Sequence, residues 1–248
     1  QTLPFTFFFF FLDKVEQATV DKILLLALVE FVVLDEAFEI LHLQSQTILG
    51  LFRHILQHRP RFRLLFAGAH TFAELQHWTS YFLNVETIHI NYLSEHEACQ
   101  LIEQPIKSFP LRYSPDATQR VLTITNAHPA LIQLLCGEIV ELKNTQPINQ
   151  RFKVQMDDVE AAIPKALKSG SFLFTDIQHN QVDETGRTVL HFMASKGEGT
   201  VVSKHDLQTQ FPNNLKETLA LLVQREIIEA VDDGYRFQVE MVRRWFYG

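Results

Sequence analysis

Residues 22–37, KILLLALVEFVVLDEA, decide the fold. Positions 23–34 are apolar almost throughout and end in β-branched residues, a pattern too continuous for an amphipathic helix. Such a run is typical of a strand buried on both faces, as in a parallel sheet covered by helices on both sides. Glu30 is the one acid within the run, and Asp35 and Glu36 close it.

The segments that follow continue an α/β pattern. Residues 45–58 carry apolar side chains at helical spacing, and Pro60 ends that helix. Residues 63–68 (RLLFAG) form a second buried strand, and residues 86–90 (ETIHI) form a third. Strand, helix and strand joined by short loops predict a crossover connection in a parallel sheet.

After Tyr92 the sequence predicts helices only. Ser94 and Glu97 form a capping box at the start of one helix. Further helices are expected over residues 115–125, capped by Ser114, over 129–142, and over 157–168, capped by Asp157 or Asp158. The polar stretch 143–150 is interpreted as a linker.

A third pattern begins at residue 171. Helices are predicted over 184–196, 203–211 and 214–225, followed by short strands at 227–231 and 235–239 around an Asp-Asp-Gly turn. Three helices followed by a β-hairpin are typical of a winged helix-turn-helix.

Composition excludes several classes of protein. The chain has 248 residues, 46% of them hydrophobic, and a net charge of −7, which disfavours a general nucleic-acid binder. Cys99 and Cys136 lie in apolar helical patterns, so we expect reduced thiols and a cytoplasmic protein. His54 and His58 have the spacing of metal ligands but lack a third, and we predict no metal site in this chain. We expect no membrane contact, because no apolar run reaches the ~20 residues of a spanning helix.

Three stretches together resemble the STAND and archaeal-ATPase branch of the AAA+ class of P-loop ATPases. LLLALVEF (24–31) resembles the Walker B strand, RLLFAGAHT (63–71) resembles the strand that ends in sensor 1, and ITNAHPALIQLLC (124–136) resembles the lid turn with its Gly-x-Pro motif. The resemblance implies an α/β fold. We expect a partial P-loop NTPase parallel-sheet core at 1–91, an all-α lid with a linker helix at 92–170, and a winged helix-turn-helix domain at 171–248.

The chain departs from the family in the nucleotide-binding motifs. No G-x-x-x-x-G-K-[ST] phosphate loop occurs in it, and the Walker B Asp falls on Val29, which cannot hold a Mg²⁺ shell. The polar sensor 1 residue falls on Ala69, and the lid glycine falls on Asn126 or Ala127. Asp35-Glu36 is either a shifted acid pair or the start of the next helix.

Four candidate site residues remain in the family's register. The resemblance implies that Glu30 positions the attacking water, that His70 or Thr71 senses the γ-phosphate, and that Pro129 marks the nucleotide-facing lid turn. Glu30 also has a structural alternative, as a strand-end acid paired with a nearby Lys or Arg.

The resemblance implies ATP or ADP with Mg²⁺ as cofactors of the complete protein. We therefore predict the distal part of a nucleotide-dependent switch, without turnover in this chain alone. The expected partners are the chain's own core, on which the winged helix docks, a protein effector, and further copies in an oligomer.

The alternative is a non-enzymatic winged-helix regulator that binds DNA, with a degenerate ATPase scaffold. Charge disfavours it, because residues 171–248 contain eight Lys and Arg against eleven Asp and Glu. Asp232 and Asp233 at the wing tip would also face a phosphate backbone with like charge.

Overall fold

The computed structural model describes residues 31–34, 46–58, 63–66, 92–213 and 215–248. The chain divides into two compact units, Gln1–His89 and Ile90–Gly248. The third predicted strand, at 86–90, lies outside the described residues, as does the beginning of the first.

The first unit contains two parallel strands connected through a helix. Strand β1 (Phe31–Leu34) pairs with β2 (Arg63–Phe66), and Phe31 lies opposite Arg63 while Leu34 lies opposite Phe66. Helix α1 (Gln46–His58) lies between them in sequence. A parallel pair needs such a crossover, so the α/β pattern predicted from residues 22–68 is confirmed at this level.

The second unit begins with a helical region, residues 92–170. Its elements are α2 (Glu95–Glu103), β3 (Arg112–Tyr113), α3 (Pro115–Thr125), α4 (Pro129–Thr145), α5 (Ile148–Arg151), β4 (Lys153–Val154) and α6 (Met156–Ser169). The predicted capping box is present, since the Ser94 side chain accepts from the Glu97 amide and the Glu97 carboxylate accepts from the Ser94 amide. Ser114 precedes α3 without a side-chain cap bond, because Pro115 and the extended Ser114 backbone already set the start of the helix.

The predicted linker at 143–150 is wrong at both ends, because residues 143–145 belong to α4 and residues 148–150 to α5. Helix α4 continues to Thr145. Lys143 in this helix is only 2% exposed, and its Nζ donates to Asp158 Oδ2 at 2.9 Å. A lysine this buried requires such a partner. Residues 153–154 then form β4, which pairs in parallel with β3.

The cap of α6 also differs from the prediction. Gln155 is the N-cap, and its side chain and Asp158 form a reciprocal capping box. The Asp158 carboxylate accepts from the Gln155 amide at 2.9 Å and from Gln146 Nε2 at 2.8 Å. Asp158 therefore accepts a hydrogen bond from the N-cap amide as the third residue of the helix and is not itself the N-cap.

The described part of the C-terminal region, residues 171–248, contains five further helices, a π-helical turn and a small sheet. The elements are α7 (Ser171–Asp176), the π-helical turn Ile177–Gln181, α8 (Glu184–Ala194), β5 (Val202–Ser203), α9 (Lys204–Gln210), α10 (Leu215–Gln224), β6 (Ile228–Val231), β7 (Gly234–Phe237) and α11 (Glu240–Tyr247). The sheet is antiparallel in the order β5–β7–β6. Val231 lies opposite Gly234, so the hairpin loop is Asp232-Asp233.

The helical and C-terminal regions share one hydrophobic core. Its fully buried side chains come from both regions and include Ile102, Ile132, Ile163, Leu190 and Phe246. Helix α11, which the sequence reading did not predict, supplies Phe246 to that core. In the part of the chain that the structure describes, no helix is both long and apolar enough to span a bilayer.

Candidate functional site

The structure describes one of the four candidate site residues. Pro129 lies at the turn between α3 and α4. Glu30, His70 and Thr71 lie outside the described residues, so their roles stay predictions. The candidate site is therefore built from the α3–α4 turn.

Two consecutive left-handed residues form this turn. Helix α3 ends at Thr125, after which Asn126 has φ 48° and Ala127 has φ 57°. Asparagine tolerates this region better than most residues, whereas a Cβ atom makes it unfavourable for alanine. The turn thus requires, at both positions, the conformation that glycine adopts most readily.

Two backbone hydrogen bonds fix the turn. The His128 amide donates to the Thr125 carbonyl at 3.0 Å, and the Leu93 amide donates to the Ala127 carbonyl at 3.2 Å. The second bond fastens the turn to the segment that enters the helical region, so a shift of either is transmitted to the other.

Pro129 is the first residue of α4, where its fixed φ suits the helix and its missing N–H costs no hydrogen bond. His128 is the N-cap in an extended conformation, and no side-chain cap bond is made there within the described residues. Helix α4 has 17 residues. The amides of such a helix start can bind a negatively charged group.

An aromatic pair lies beside the turn. The rings of Tyr92 and His128 have their centroids 5.3 Å apart at 52°. Burial lowers the pKa of His128, with nearby Glu226 opposing the shift, so the ring is neutral at pH 7. Burial, with Glu226 adding to it, raises the pKa of Tyr92 to about 12. The buried Nδ1 of His128 has no hydrogen-bond partner among the described residues.

A cleft of about 230 Å³ adjoins the turn at Asn126 and continues to strand β7. The arginines in its lining are already paired: Arg236 Nε contacts Glu229 Oε1 at 2.6 Å, and Arg243 Nη2 contacts Glu240 Oε1 at 2.7 Å. With its cations neutralised by carboxylates, this cleft is poorly suited to a phosphate.

An ion cluster of four residues links α3, α6, α11 and the loop after α8. Arg120 on α3 and Arg244 on α11 each contact both Glu160 on α6 and Glu198 in the loop after α8. The Arg120 hydrogen bond, with Arg244 adding to it, lowers the pKa of Glu198 to about 2, while partial burial opposes the shift. We call this set the ion cluster.

Other constellations give no catalytic site. The rings of His54 and His58 stack with centroids 4.2 Å apart, and both side chains are exposed. Within the described ranges, no three His, Cys, Asp or Glu side chains are grouped so as to hold a metal ion. Cys99 and Cys136 are free thiols, and burial raises the pKa of Cys136 to about 11, which makes it a poor nucleophile.

Comparison with known proteins identifies the fold. No protein-family model and no curated protein matches the sequence. The structure is similar to that of the Walker-type ATPase PABY2304 of Pyrococcus abyssi, with a TM-score of 0.61 and 12% identity over 87% of this chain. It also matches the RuvB Holliday junction branch migration motor of Thermotoga maritima, with a TM-score of 0.49 and 15% identity over 95% of this chain.

The chain therefore has the fold of P-loop ATPases, and the archaeal structure, with its higher TM-score, supports this statement. This chain spans 62% of the archaeal ATPase's length. At 12% identity the likeness shows the fold and no residue role.

Two features of the site were not found from the sequence. His128 precedes the proline in the quoted lid stretch, but its burial against Tyr92 depends on a contact between distant parts of the chain. The ion cluster joins residues as far apart as Arg120 and Glu198, and no local spacing indicates such a contact.

Proposed function

We propose that this chain is the distal part of a STAND-type, AAA+-like nucleotide switch, in which ATP or ADP with Mg²⁺ binds in the complete protein. The α3–α4 turn carries the proposal. It has left-handed backbone at Asn126 and Ala127, where the family places glycine, and then Pro129 at the start of a long helix. The likeness in fold to the archaeal Walker-type ATPase supports the same reading.

The turn has the chemistry that a nucleotide-facing element needs. The first amides of α4 and the neutral, half-buried ring of His128 offer hydrogen-bond donors and an apolar face. A nucleobase or sugar can pack on such a face. Pro129 keeps the start of α4 rigid, so that these groups need little ordering when a ligand binds.

Catalysis is not proposed for this chain alone. The sequence has no phosphate loop, and valine stands at the position of the Walker B Asp. Phosphoryl transfer depends on the loop, the bound Mg²⁺ and a positioned water acting together. Glu30 is proposed to position that water in the complete protein, and His70 or Thr71 to contact the γ-phosphate.

We propose further that residues 171–248 form a winged helix-turn-helix that docks within the chain. The order α8, β5, α9, α10, β6, β7 supports this assignment. The region's arginines favour internal docking over DNA, because each of them contacts a carboxylate or carbonyl of this chain: Arg187, Arg225, Arg236, Arg243 and Arg244. A phosphate backbone needs cations that are free to meet it.

Histidine NMR during titration with Mg-ATP and Mg-ADP tests the nucleotide-facing turn. We expect the His128 ring resonances to shift at millimolar nucleotide, whereas those of exposed His205 on α9 stay in place. Phosphate release should not exceed that of a protein-free blank. A shift of the His205 resonances alone, or of neither set of resonances, would show that the turn does not contact the nucleotide.

A mobility shift with duplex DNA at low salt tests the alternative function. Internal docking predicts no complex. Binding that weakens steeply as salt rises would favour the DNA-binding regulator instead.

A further inference from the structure

The contact between the helical region and the C-terminal region is closely packed and continuous with their shared hydrophobic core. At the point where the chain crosses from α6 to α7, Gly170 is buried against α4. A Cβ atom added to Gly170 would come within 2.4 Å of Leu134 Cδ2 and 3.1 Å of the Phe174 ring. The connection is therefore pressed onto the helical region and lacks the freedom of a hinge.

Polar bonds hold the next segment as well. The carbonyls of the π-helical turn at Gln178 and Gln181 accept from Arg187 and Arg225. The Gln178 side chain accepts from Trp245 Nε1 at 2.9 Å, and the Trp245 ring stacks on Phe174 with centroids 5.3 Å apart. A π-helical turn often marks a site of movement, but here side chains from three helices restrain it.

The ion cluster also joins the two regions. Two of its members, Arg120 and Glu160, belong to the helical region, whereas Glu198 and Arg244 belong to the C-terminal region. Arg120 Nη2 donates to Glu198 Oε2 at 2.9 Å, and Arg244 Nη1 contacts Glu160 Oε2 at 3.2 Å. Their side chains are between 15% and 36% exposed, so water screens them only in part.

The buried Arg243 fixes α11 to α8. Arg243 donates from Nε to Glu240 Oε1 at 2.8 Å and from Nη1 to the Ala194 carbonyl at 2.8 Å. Arg243 and Glu240 are each 8% exposed. Helix α11 is thus attached to α8 within the C-terminal region and, through Arg244 and Glu160, to α6 of the helical region.

We propose that the helical region and the C-terminal region move as one rigid arm, and that the ion cluster couples them. Release of the C-terminal region from the helical region would expose the shared core and break the two ion pairs that cross between them, Arg120–Glu198 and Arg244–Glu160, while Arg120–Glu160 and Arg244–Glu198 stay within their own regions. The movement itself rests on the proposed switch function, whereas the rigidity of the arm does not. In this arrangement a switch changes the position of the whole arm, and the winged helix never leaves the lid.

Native-state hydrogen exchange in increasing urea, without nucleotide, tests the proposal on the whole chain. The reporters are the amides of Val121 in α3 and Val189 in α8, both of which are fully buried. A rigid arm predicts that both amides exchange through the same opening, with equal opening constants and equal urea dependence. Exchange of Val189 through a separate, more frequent opening would overturn the proposal.

Glu198→Gln tests the contribution of the ion cluster. The amide side chain keeps the shape but removes the charge shared by two arginines, so we expect the opening constants of both reporters to rise together by about tenfold. Glu229→Gln is the matched control. It removes an acid that pairs with Arg236 at 2.6 Å inside the C-terminal region, where both side chains are at least 40% exposed.

For the control we expect less than about a twofold change, as for other exposed pairs. Equal effects of the two variants would show that the ion cluster does not couple the regions. Because neither experiment contains nucleotide, a failure of nucleotide binding would disprove the proposed function and leave the rigid arm standing.

Discussion

Replacing Ala127 by glycine tests the left-handed turn on which the candidate site is built. Ala127 has φ 57°, a conformation that costs a residue with a Cβ atom about 1–2 kcal/mol. Glycine removes this strain but makes the unfolded chain more flexible, at about 0.5–1 kcal/mol. Loss of a half-buried methyl costs roughly 0.4 kcal/mol more. The free energy of unfolding should therefore change by between about −0.4 and about +1 kcal/mol.

A matched substitution isolates the strain. Ala161 is exposed within α6, and Ala161→Gly at this ordinary helical position should cost about 1 kcal/mol. Both variants gain the same freedom when unfolded, but Ala127→Gly also relieves the strain and loses a half-buried methyl, so it should be the more stable of the two by roughly 0.6–2 kcal/mol. Urea unfolding followed by circular dichroism, with unchanged m values, measures the difference. Equal destabilisation would show that residue 127 is not left-handed in solution, and the argument for the turn would fail.

Three further predictions concern charged groups. Arg120 lowers the pKa of Glu198 from 4.5 to about 2, so the stability that Glu198 contributes is complete above pH 4.5 and is lost as the pH falls towards 2. The difference in the free energy of unfolding between wild type and Glu198→Gln, measured by urea titration, should therefore shrink between pH 4.5 and pH 2. Burial lowers the pKa of His128, so its NMR titration midpoint should lie below the usual 6.5, and stability should fall as the pH drops below that value; a higher midpoint would contradict the buried ring. Asp158→Asn leaves the buried Lys143 ammonium unpaired and should reduce the free energy of unfolding by about 3–5 kcal/mol in thermal melts, whereas a loss below about 1 kcal/mol would mean that the lysine reaches water.

Local rules predicted much of the second unit. The Ser94–Glu97 capping box and the Ser203 cap depend on residues three apart, so the sequence contains everything needed to find them. The hairpin loop at Asp232-Asp233 follows from turn chemistry in the same way, with Asp232 at φ 46°. For the first unit, hydrophobic continuity predicted the parallel pair β1–β2, although the acid at its proposed tip lies outside the described residues.

The same local rules did not predict features that depend on contacts between residues far apart in the sequence. Lys143 looked like part of a polar linker because its partner, Asp158, lies a full helix away in sequence. No helix was predicted over residues 240–247, where Glu240 and Arg243 are buried as a pair in α11. The buried Lys143 is compensated by a carboxylate that only the fold brings near, whereas Arg243 has a carboxylate three residues earlier on its own helix and a distant partner in the Ala194 carbonyl.

The candidate turn and the ion cluster are connected by a single element, helix α3. Arg120 lies on this helix, and Asn126 follows its last residue, so six residues, or roughly 9 Å of helix, separate the two features. The residues between them include the buried Val121, Leu122 and Ile124, so close packing holds this part of α3 as one unit. A ligand that moved the Asn126–Ala127 turn would therefore move Arg120, and with it Glu198 and the C-terminal region. The coupling is reciprocal. If a ligand at the turn changes the affinity of the C-terminal region for a partner, that partner changes the affinity of the turn for the ligand by the same factor.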